Sequence, residues 1–245
     1  MRRQPAAPES QESDRLFKAA TAEDRRIVQR AFPYTMTGPA RLFALVEAVR
    51  YCNRRGLDGA FAECGVWRGG SVMAMILTLQ DLGVSDRDIY LYDTFEGMTK
   101  PTEADTSSVA LPALPAWEEA ERSGDKAWSE LFDPEQVSVD GVRRTLLTTG
   151  YPEERLHLVP GPVEDTVPGT APDRLALLRL DTDWYESTRH ELEHLYPRLL
   201  EGGVLILDDY GHWEGARKAV DEYFDGAERP LLTPVDYACR FAIKG

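Results

Sequence analysis

The sequence has few cysteines, no long apolar run and no excess of positive charge, and each shortage removes a class of protein. Cys52, Cys64 and Cys239 are odd in number and lack metal-site spacing, so a disulfide framework is not expected and a reducing compartment fits better. Cys64 lies inside an apolar run and reads as a small core residue. No stretch approaches the roughly 18 consecutive apolar residues of a membrane span. The opening MRRQPAAPESQESD has two arginines but no apolar segment behind them, which predicts no secretory signal and a cytoplasmic protein. Against 42 Asp+Glu stand 28 Lys+Arg, a formal net charge of −14. That balance argues against nucleic acid or an anionic membrane as partner. Internal repeats and low-complexity tracts are absent. What is present, 42% hydrophobic content over 245 residues, suits one large globular domain.

The chain is organised around residues 177–211, LLRLDTDWYESTRHELEHLYPRLLEGGVLILDDYG. Two short apolar runs flank a segment in which Leu192, Leu195 and Leu199 recur at helical spacing, predicting strand, helix, strand. Each predicted strand ends in carboxylates, Asp181 and Asp183 after the first and Asp208 and Asp209 after the second. A right-handed crossover in a parallel sheet brings both strand ends to one edge, where open α/β sheets bind ligands. Like charges this close need a cation, and an all-carboxylate set with room for water suits a hard ion such as Mg²⁺. The competing reading, acids that cap helices and face solvent, explains one such Asp better than two pairs.

Upstream, residues 1 to about 12 are polar and rich in Pro, Ser and Glu, which predicts disorder, and a weakly patterned helix is expected over 13–32. A clearer helix over Pro39–Arg54 presents Leu42, Leu45, Val46, Val49 and Cys52 as one stripe. A strand at Ala60–Cys64 then runs into GVWRGGS and a helix carrying Val72, Met75, Ile76 and Leu79. Strand, glycine-rich turn, helix is the geometry in which backbone approaches a nucleotide closely. The GxxxGG spacing differs from the dinucleotide fingerprint, so pyrophosphate is not the expected ligand. Glu63 before the turn would repel a phosphate but attract an ammonium or sulfonium group, or accept from a ribose hydroxyl. A second strand over 89–92 ends in Asp93, placed either to accept from ribose hydroxyls or to act as a turn residue.

Residues 98–132 interrupt the alternation at a length more typical of a lid than of a connector, and Trp117 and Trp128 weigh against simple disorder. A helix is expected over 133–149, with Asp133 as N-cap, Pro134 at its first position, Gln136 in the capping-box place and Gly150 as its stop. A third strand over 156–159 leads to Gly161 and to Glu164-Asp165, near where an adenine would lie if Asp93 holds the ribose. Ala216, Ala219, Val220, Tyr223 and Phe224 line a last helix. Segments 231–233 and 238–243 are too close for a crossover and must pair antiparallel. His212 reads as solvent-facing and Trp213 as core. The expected fold is α/β, a mostly parallel seven-stranded sheet with an antiparallel C-terminal hairpin and helices on both faces. It looks like the Rossmann-like class I S-adenosylmethionine-dependent methyltransferase fold, with residues 1–34 as an N-terminal segment or lid and 35–245 as the domain.

Four stretches carry a more specific likeness. FAECGVWRGGSVMAM, YDTFEGM, the 177–211 segment and RKAVDEYF, preceded by TMTGPARL, resemble the macrocin, mycinamicin and aminocoumarin sugar O-methyltransferases of antibiotic biosynthesis, over residues 35–224. The resemblance implies S-adenosylmethionine as methyl donor, Mg²⁺ as an essential ion and a deoxysugar hydroxyl of a small glycosylated molecule as acceptor. It implies that Glu63, Gly65 and Asp93 hold the donor with Thr35, Met36 and Arg68 nearby; Gly161 and Asp165 join this set from their place at the third strand end, not from the resemblance. It implies Asp181, Asp208 and Asp209 as metal ligands and Asp183, or alternatively Asp181, as the base. A homo-oligomer is expected. Two other functions fit the acids less well. A catechol-type phenol O-methyltransferase commonly has a Lys shortly after its first metal-binding Asp, where this chain has Asp183, Trp184 and Tyr185. A non-catalytic S-adenosylmethionine-binding assembly protein would have no need to concentrate four acids.

Overall fold

Short apolar runs with a two-residue period build one seven-stranded sheet in the computed structural model, which describes residues 20–226 and 229–245. The strands are β1 (Ala60–Cys64), β2 (Ile89–Asp93), β3 (Leu156–Pro160), β4 (Leu175–Leu180), β5 (Leu199–Leu207), β6 (Thr233–Pro234) and β7 (Arg240–Ile243). Their spatial order is β3-β2-β1-β4-β5-β7-β6. The first five pair in parallel, and β7 lies antiparallel to both β5 and β6, as the short connection requires. The helices in chain order are α1 (Ala22–Ala31), α2 (Pro39–Arg54), α3 (Gly70–Asp81), α4 (Ala113–Ser123), α5 (Pro134–Val137), α6 (Val139–Leu147), α7 (Val163–Thr166), α8 (Tyr185–His194) and α9 (Glu214–Tyr223). No described helix is long and apolar enough to cross a membrane.

Alternation along the strands sorts the core into two halves. Phe61, Leu91, Leu177, Val204 and Ile206 pack with α1, α2, α3 and α6, while Ala62, Cys64, Tyr92, Leu178, Leu180, Leu205 and Leu207 pack with α7, α8 and α9. The first set does not stay apolar. Two residues beyond Phe61, Leu91, Leu177 and Ile206 come Glu63, Asp93, Arg179 and Asp208, so that face turns charged at the C-terminal edge. β1 and β4 are neighbours at the point where strand order reverses, which opens a crevice beyond that edge.

Local signals account for most element ends. Thr21 and Asp24 form a reciprocal capping box on α1, and Asp24 also binds Arg50 of α2 at 2.7 Å, whose guanidinium reaches Asp81 of α3 at 2.9 Å. Three expectations need correction. The helix over 133–149 is two pieces, because Ser138 is extended (ψ 159°) and caps α6 through Gly141 N–H. Leu199 belongs to β5 and not to the preceding helix, since a 3₁₀ turn over Tyr196–Arg198 containing Pro197 separates them. The last two strands are shorter than 231–233 and 238–243 suggested, and Leu231 is outside β6. The start of the helix over 13–32, and the disorder expected before it, lie outside the described residues.

Gly65 shows how tightly the sheet edge is closed. Its φ is +81°, and a Cβ there would sit 1.9 Å from the carbonyl oxygen of Asp181 on the neighbouring strand. Gly83 has a similar φ of +73° but open space around it. Gly65→Ala is therefore expected to cost about 3 kcal/mol or more, joining steric overlap to the left-handed penalty, and Gly83→Ala about 1 kcal/mol. Urea unfolding of both variants checks this, and equal losses would contradict the close approach.

Candidate active site

A cavity of about 930 Å³ occupies the crevice. The turn after β1 forms one wall. Gly69 in the left-handed region (φ 84°) lets that turn enter α3, and a side chain at Gly70 would strike the backbone of Tyr34. Asp93 fixes the same turn from the next strand. Its carboxylate accepts from Val66 N–H at 2.6 Å, Trp67 N–H at 3.0 Å and Phe95 N–H at 2.7 Å, bonds that oppose the upward push of burial on its pKa. Asp93 thus serves as a turn residue and also lines the cavity, and a carboxylate has about four acceptor sites to divide between these roles.

The other residues expected near the donor divide between the cavity and its surroundings. Gly65, Met36 and Gly161 line the cavity, and Met36 is 58% exposed. Thr35 stands behind the lining, its hydroxyl accepting from Thr37 N–H at 3.1 Å. Arg68 lies over the Trp67 ring at 4.2 Å, its Nε buried without a partner, and does not reach the cavity. Asp165 is exposed and outside the lining, where its neighbour Glu164 stands instead. Glu63 is corrected most. The cation it meets is not a ligand but Arg179, in register on β4, to which Glu63 Oε1 is directly bonded.

Arg179 is the centre of the charged floor. It is 3% exposed, it donates to Glu63, and to Asp208 Oδ1 at 2.8 Å, and it forms an ion pair with Asp181 at 2.8 Å. Burial alone would lower its pKa, but Asp181, Asp208 and Glu63 raise it well above the ordinary guanidinium value. A second guanidinium, Arg41 of α2, binds Asp208 Oδ2 and reaches Asp236 at 2.6 Å. Against burial, Arg179 and Arg41 together hold the Asp208 carboxyl below its usual range. Its neighbours lack that compensation. Burial raises Glu63 to about 7 despite Arg179, and burial plus the charge of Asp181 raises Asp183 to about 8. Asp181 and Asp209 are raised as well, burial leading in both.

Carboxylate oxygens of Asp181, Asp208 and Asp209 lie within 4.8 Å of one another. All are hard oxygen donors, and two guanidiniums stand among six acids, Glu63, Asp181, Asp183, Asp208, Asp209 and Asp236, so a divalent cation fits both the chemistry and the charge deficit. Asp183 sits apart from this trio, its backbone held at φ +69° with its N–H donating to Asp209 at 3.2 Å. Its Oδ1 accepts from Trp213 Nε1 at 2.7 Å. Trp213 is therefore a core residue as expected, but one with a polar duty.

Aromatic rings carry this contact outward. Trp213 meets Trp184 edge-on at 4.9 Å, Trp184 meets Trp128 at 6.1 Å, and Trp128 meets Trp117 at 6.3 Å, so the chain of rings ends within segment 98–132. That segment is fastened at several places. Trp184 Nε1 donates to Thr99 O at 3.0 Å, Tyr185 N–H to Asp105 at 2.7 Å and Trp67 Nε1 to Leu131 O at 2.8 Å. Buried Asp105 thereby satisfies a free N–H at the start of α8. Arg41, Asp105, Arg179 and the hydrogen bond of Trp213 were all missed from sequence. Only Arg179 left a readable sign, an arginine inside the apolar run LLRL.

Several known proteins are similar to this chain. The family model described as Macrocin-O-methyltransferase (TylF) matches residues 3–242, a longer span than the motifs alone cover. The chain is 36% identical over 203 residues to the 8-demethyl-8-(2,3-dimethoxy-alpha-L-rhamnosyl)-tetracenomycin-C 4'-O-methyltransferase of Streptomyces olivaceus, covering 82% of this chain and 72% of that one. It is 34% identical over 213 residues to the mycinamicin III 3''-O-methyltransferase of Micromonospora griseorubida, covering 86% and 79%. Among solved structures, the O-methyltransferase NovP superposes with a TM-score of 0.71 at 31% identity, covering 86% of this chain and 82% of that one. The class I methyltransferase fold expected from the strand pattern is thus the one present.

Replacing Arg179 tests the charged floor. Arg179→Met leaves buried Glu63 and Asp208, and half-buried Asp181, without their shared cation, an expected loss of about 3–5 kcal/mol. The sign of the pH effect follows from linkage. These carboxyls bind protons more readily in the folded variant than in the unfolded chain, so the penalty is full above their folded pKa and fades as pH falls towards 4.5. Urea unfolding at pH 8 and pH 5.5 should show the deficit narrowing at the lower pH. A deficit that widens there would place the stabilising charge elsewhere.

Proposed function

Since the chain belongs to the macrocin O-methyltransferase family and is an O-methyltransferase, we propose that it methylates a sugar hydroxyl of a glycosylated natural product, using S-adenosylmethionine and a divalent ion such as Mg²⁺. The observation that carries this reading is the grouping of Asp181, Asp208 and Asp209 beside Asp183, in one cavity with the glycine turn after β1. The relative from S. olivaceus is named for a rhamnosyl tetracenomycin, which supports a glycosylated acceptor. Homo-oligomerisation belongs to the same proposal.

The residues divide the work. Gly65, Asp93 and Gly161 line the donor wall, with Met36 at its rim and Glu63, Thr35 and Arg68 behind it. S-adenosylmethionine would supply the electrophilic methyl group, and Asp181, Asp208 and Asp209 would hold an ion that would supply Lewis acidity at the acceptor hydroxyl. Asp183 takes the hydroxyl proton as oxygen replaces sulfur on the methyl carbon. Trp213 holds the Asp183 carboxylate in place for that step. Segment 98–132 is the proposed lid. Its ends are tied to Trp184, Tyr185 and Trp67, and Phe132 reaches the cavity itself, so closing it would exclude water from the reacting groups.

The separation of ligand from base is testable once mass-spectrometric screening of glycosylated natural products yields an acceptor. Asp208→Asn should raise the Mg²⁺ concentration needed for half-maximal turnover, with excess ion restoring part of the rate. Asp183→Asn should lower kcat by about 10²–10⁴-fold, the scale of a general base, with little change in ion requirement. An Mg²⁺ titration of turnover at saturating donor decides. Rescue of Asp183→Asn by added ion would exchange the two assignments, and turnover indifferent to chelation would remove the ion from the mechanism.

A further inference from the structure

Arg41 stands at the rim of the cavity and touches its acid cluster. It stands in the first turn of α2, directly after the Met36-Thr37-Gly38 rim of the cavity, and it joins two acids from distant parts of the chain. One is Asp208, whose Oδ2 it binds, and the other is Asp236 in the connection between β6 and β7, whose Oδ2 accepts from Arg41 Nε at 2.6 Å. Its guanidinium also lies 5.9 Å from the centre of the Tyr237 ring. Because Asp208 Oδ1 is already bonded to Arg179, both oxygens of this carboxylate face guanidinium groups.

The two arginines differ in freedom. Arg179 projects from the middle of the sheet, is 3% exposed and has three carboxylates around it, so it has nowhere to go. Arg41 has 15% of its side chain exposed, sits on a helix end, and already holds a second carboxylate at the cavity rim. Both Asp208 oxygens carry a guanidinium, so an ion bound by Asp181, Asp208 and Asp209 would have to share one of them, and Arg41 is the guanidinium with room to move. Two cations on one oxygen repel strongly in a site screened from water.

We propose that Arg41 is a displaceable counter-ion: it neutralises Asp208 in the ion-free enzyme, gives up that oxygen when the divalent cation enters, and is then held by Asp236 alone. This rests on the ion-binding reading of the preceding subsection and adds a cost and a route to it. The cost is that ion affinity is held below what three carboxylates would give alone. The route is mechanical. Asp236 and Tyr237 line the same cavity as the acids, so the arginine's withdrawal couples ion loading to the rim formed by α2 and the β6–β7 connection. The exchange is one of electrostatic partners only, and no bond is made or broken.

The test needs no acceptor. Mn²⁺ is titrated into the purified full-length protein with S-adenosylhomocysteine present, and free Mn²⁺ is read by electron paramagnetic resonance, with folding followed by circular dichroism. Arg41→Leu is expected to bind Mn²⁺ about tenfold more tightly than the unaltered protein, a change of about 1.4 kcal/mol. Asp236→Asn removes the place to which Arg41 retires, so it should bind Mn²⁺ more weakly. In the Arg41→Leu background the same Asp236→Asn change should have little further effect, because its influence runs through Arg41. Equal or weaker binding by Arg41→Leu would overturn the proposal, and so would effects of the two changes that simply add. Arg41→Gln keeps a polar group if the leucine variant does not fold, and is expected to shift affinity in the same direction. Failure of the underlying reading looks different. In that case none of the four proteins retains Mn²⁺, whereas failure of the exchange alone leaves ordinary binding that Arg41→Leu does not tighten.

Discussion

One buried guanidinium makes the rest of the edge possible. Arg179 is set between β1 and β5 so that Glu63, Asp181 and Asp208 can lie together where solvent cannot separate them. Several kcal/mol of desolvation per ion has to be offset here, and only close, multiple hydrogen bonds can do so. The two-residue period of the strands delivers that geometry. Leucines and isoleucines fill the same face up to the last turn of each strand, and the charged residues come only where the core ends.

From that floor the remaining groups sort by distance. Asp208 is held below its usual range by both guanidiniums, while Asp181, Asp209 and Asp183 are pushed up by burial and by one another. Groups of one chemical type thus acquire different capacities from their surroundings alone. Asp208 is bonded to both guanidiniums, and Asp183 is held in orientation by Trp213. Trp213 ties Asp183 to a line of rings that ends in segment 98–132, so that segment and Asp183 share a physical connection. Asp105 secures the same segment to the start of α8.

Much of this was legible in the amino-acid order. Alternating apolar runs, the GVWRGGS turn and the paired aspartates at two strand ends sufficed for the sheet, its antiparallel end and the edge at which the acids meet. Partner identity was less legible. Glu63 was read as awaiting a cationic ligand because nothing local announces that Arg179 will stand beside it; that follows only from strand register. Asp93 was open between two roles for a similar reason, since the N–H groups that it binds belong to another strand's turn. Contacts made through loops, such as Arg41 to Asp236 or Trp184 to Thr99, have no periodic signature at all. The split at Ser138 shows the opposite limit, where a good cap inside a helical pattern starts a new helix rather than continuing the old one.

The claim on which the account turns is that the carboxylates at the ends of β4 and β5 hold one divalent ion beside an unligated Asp183. Anomalous diffraction from crystals grown with S-adenosylhomocysteine and Mn²⁺ tests it most directly. The account predicts a single strong Mn²⁺ peak bonded to Asp181, Asp208 and Asp209, with Asp183 outside the coordination sphere and the homocysteine sulfur on the Gly65 side of the cavity. A peak coordinated by Asp183, or no peak in a cavity that contains the nucleoside, would contradict it.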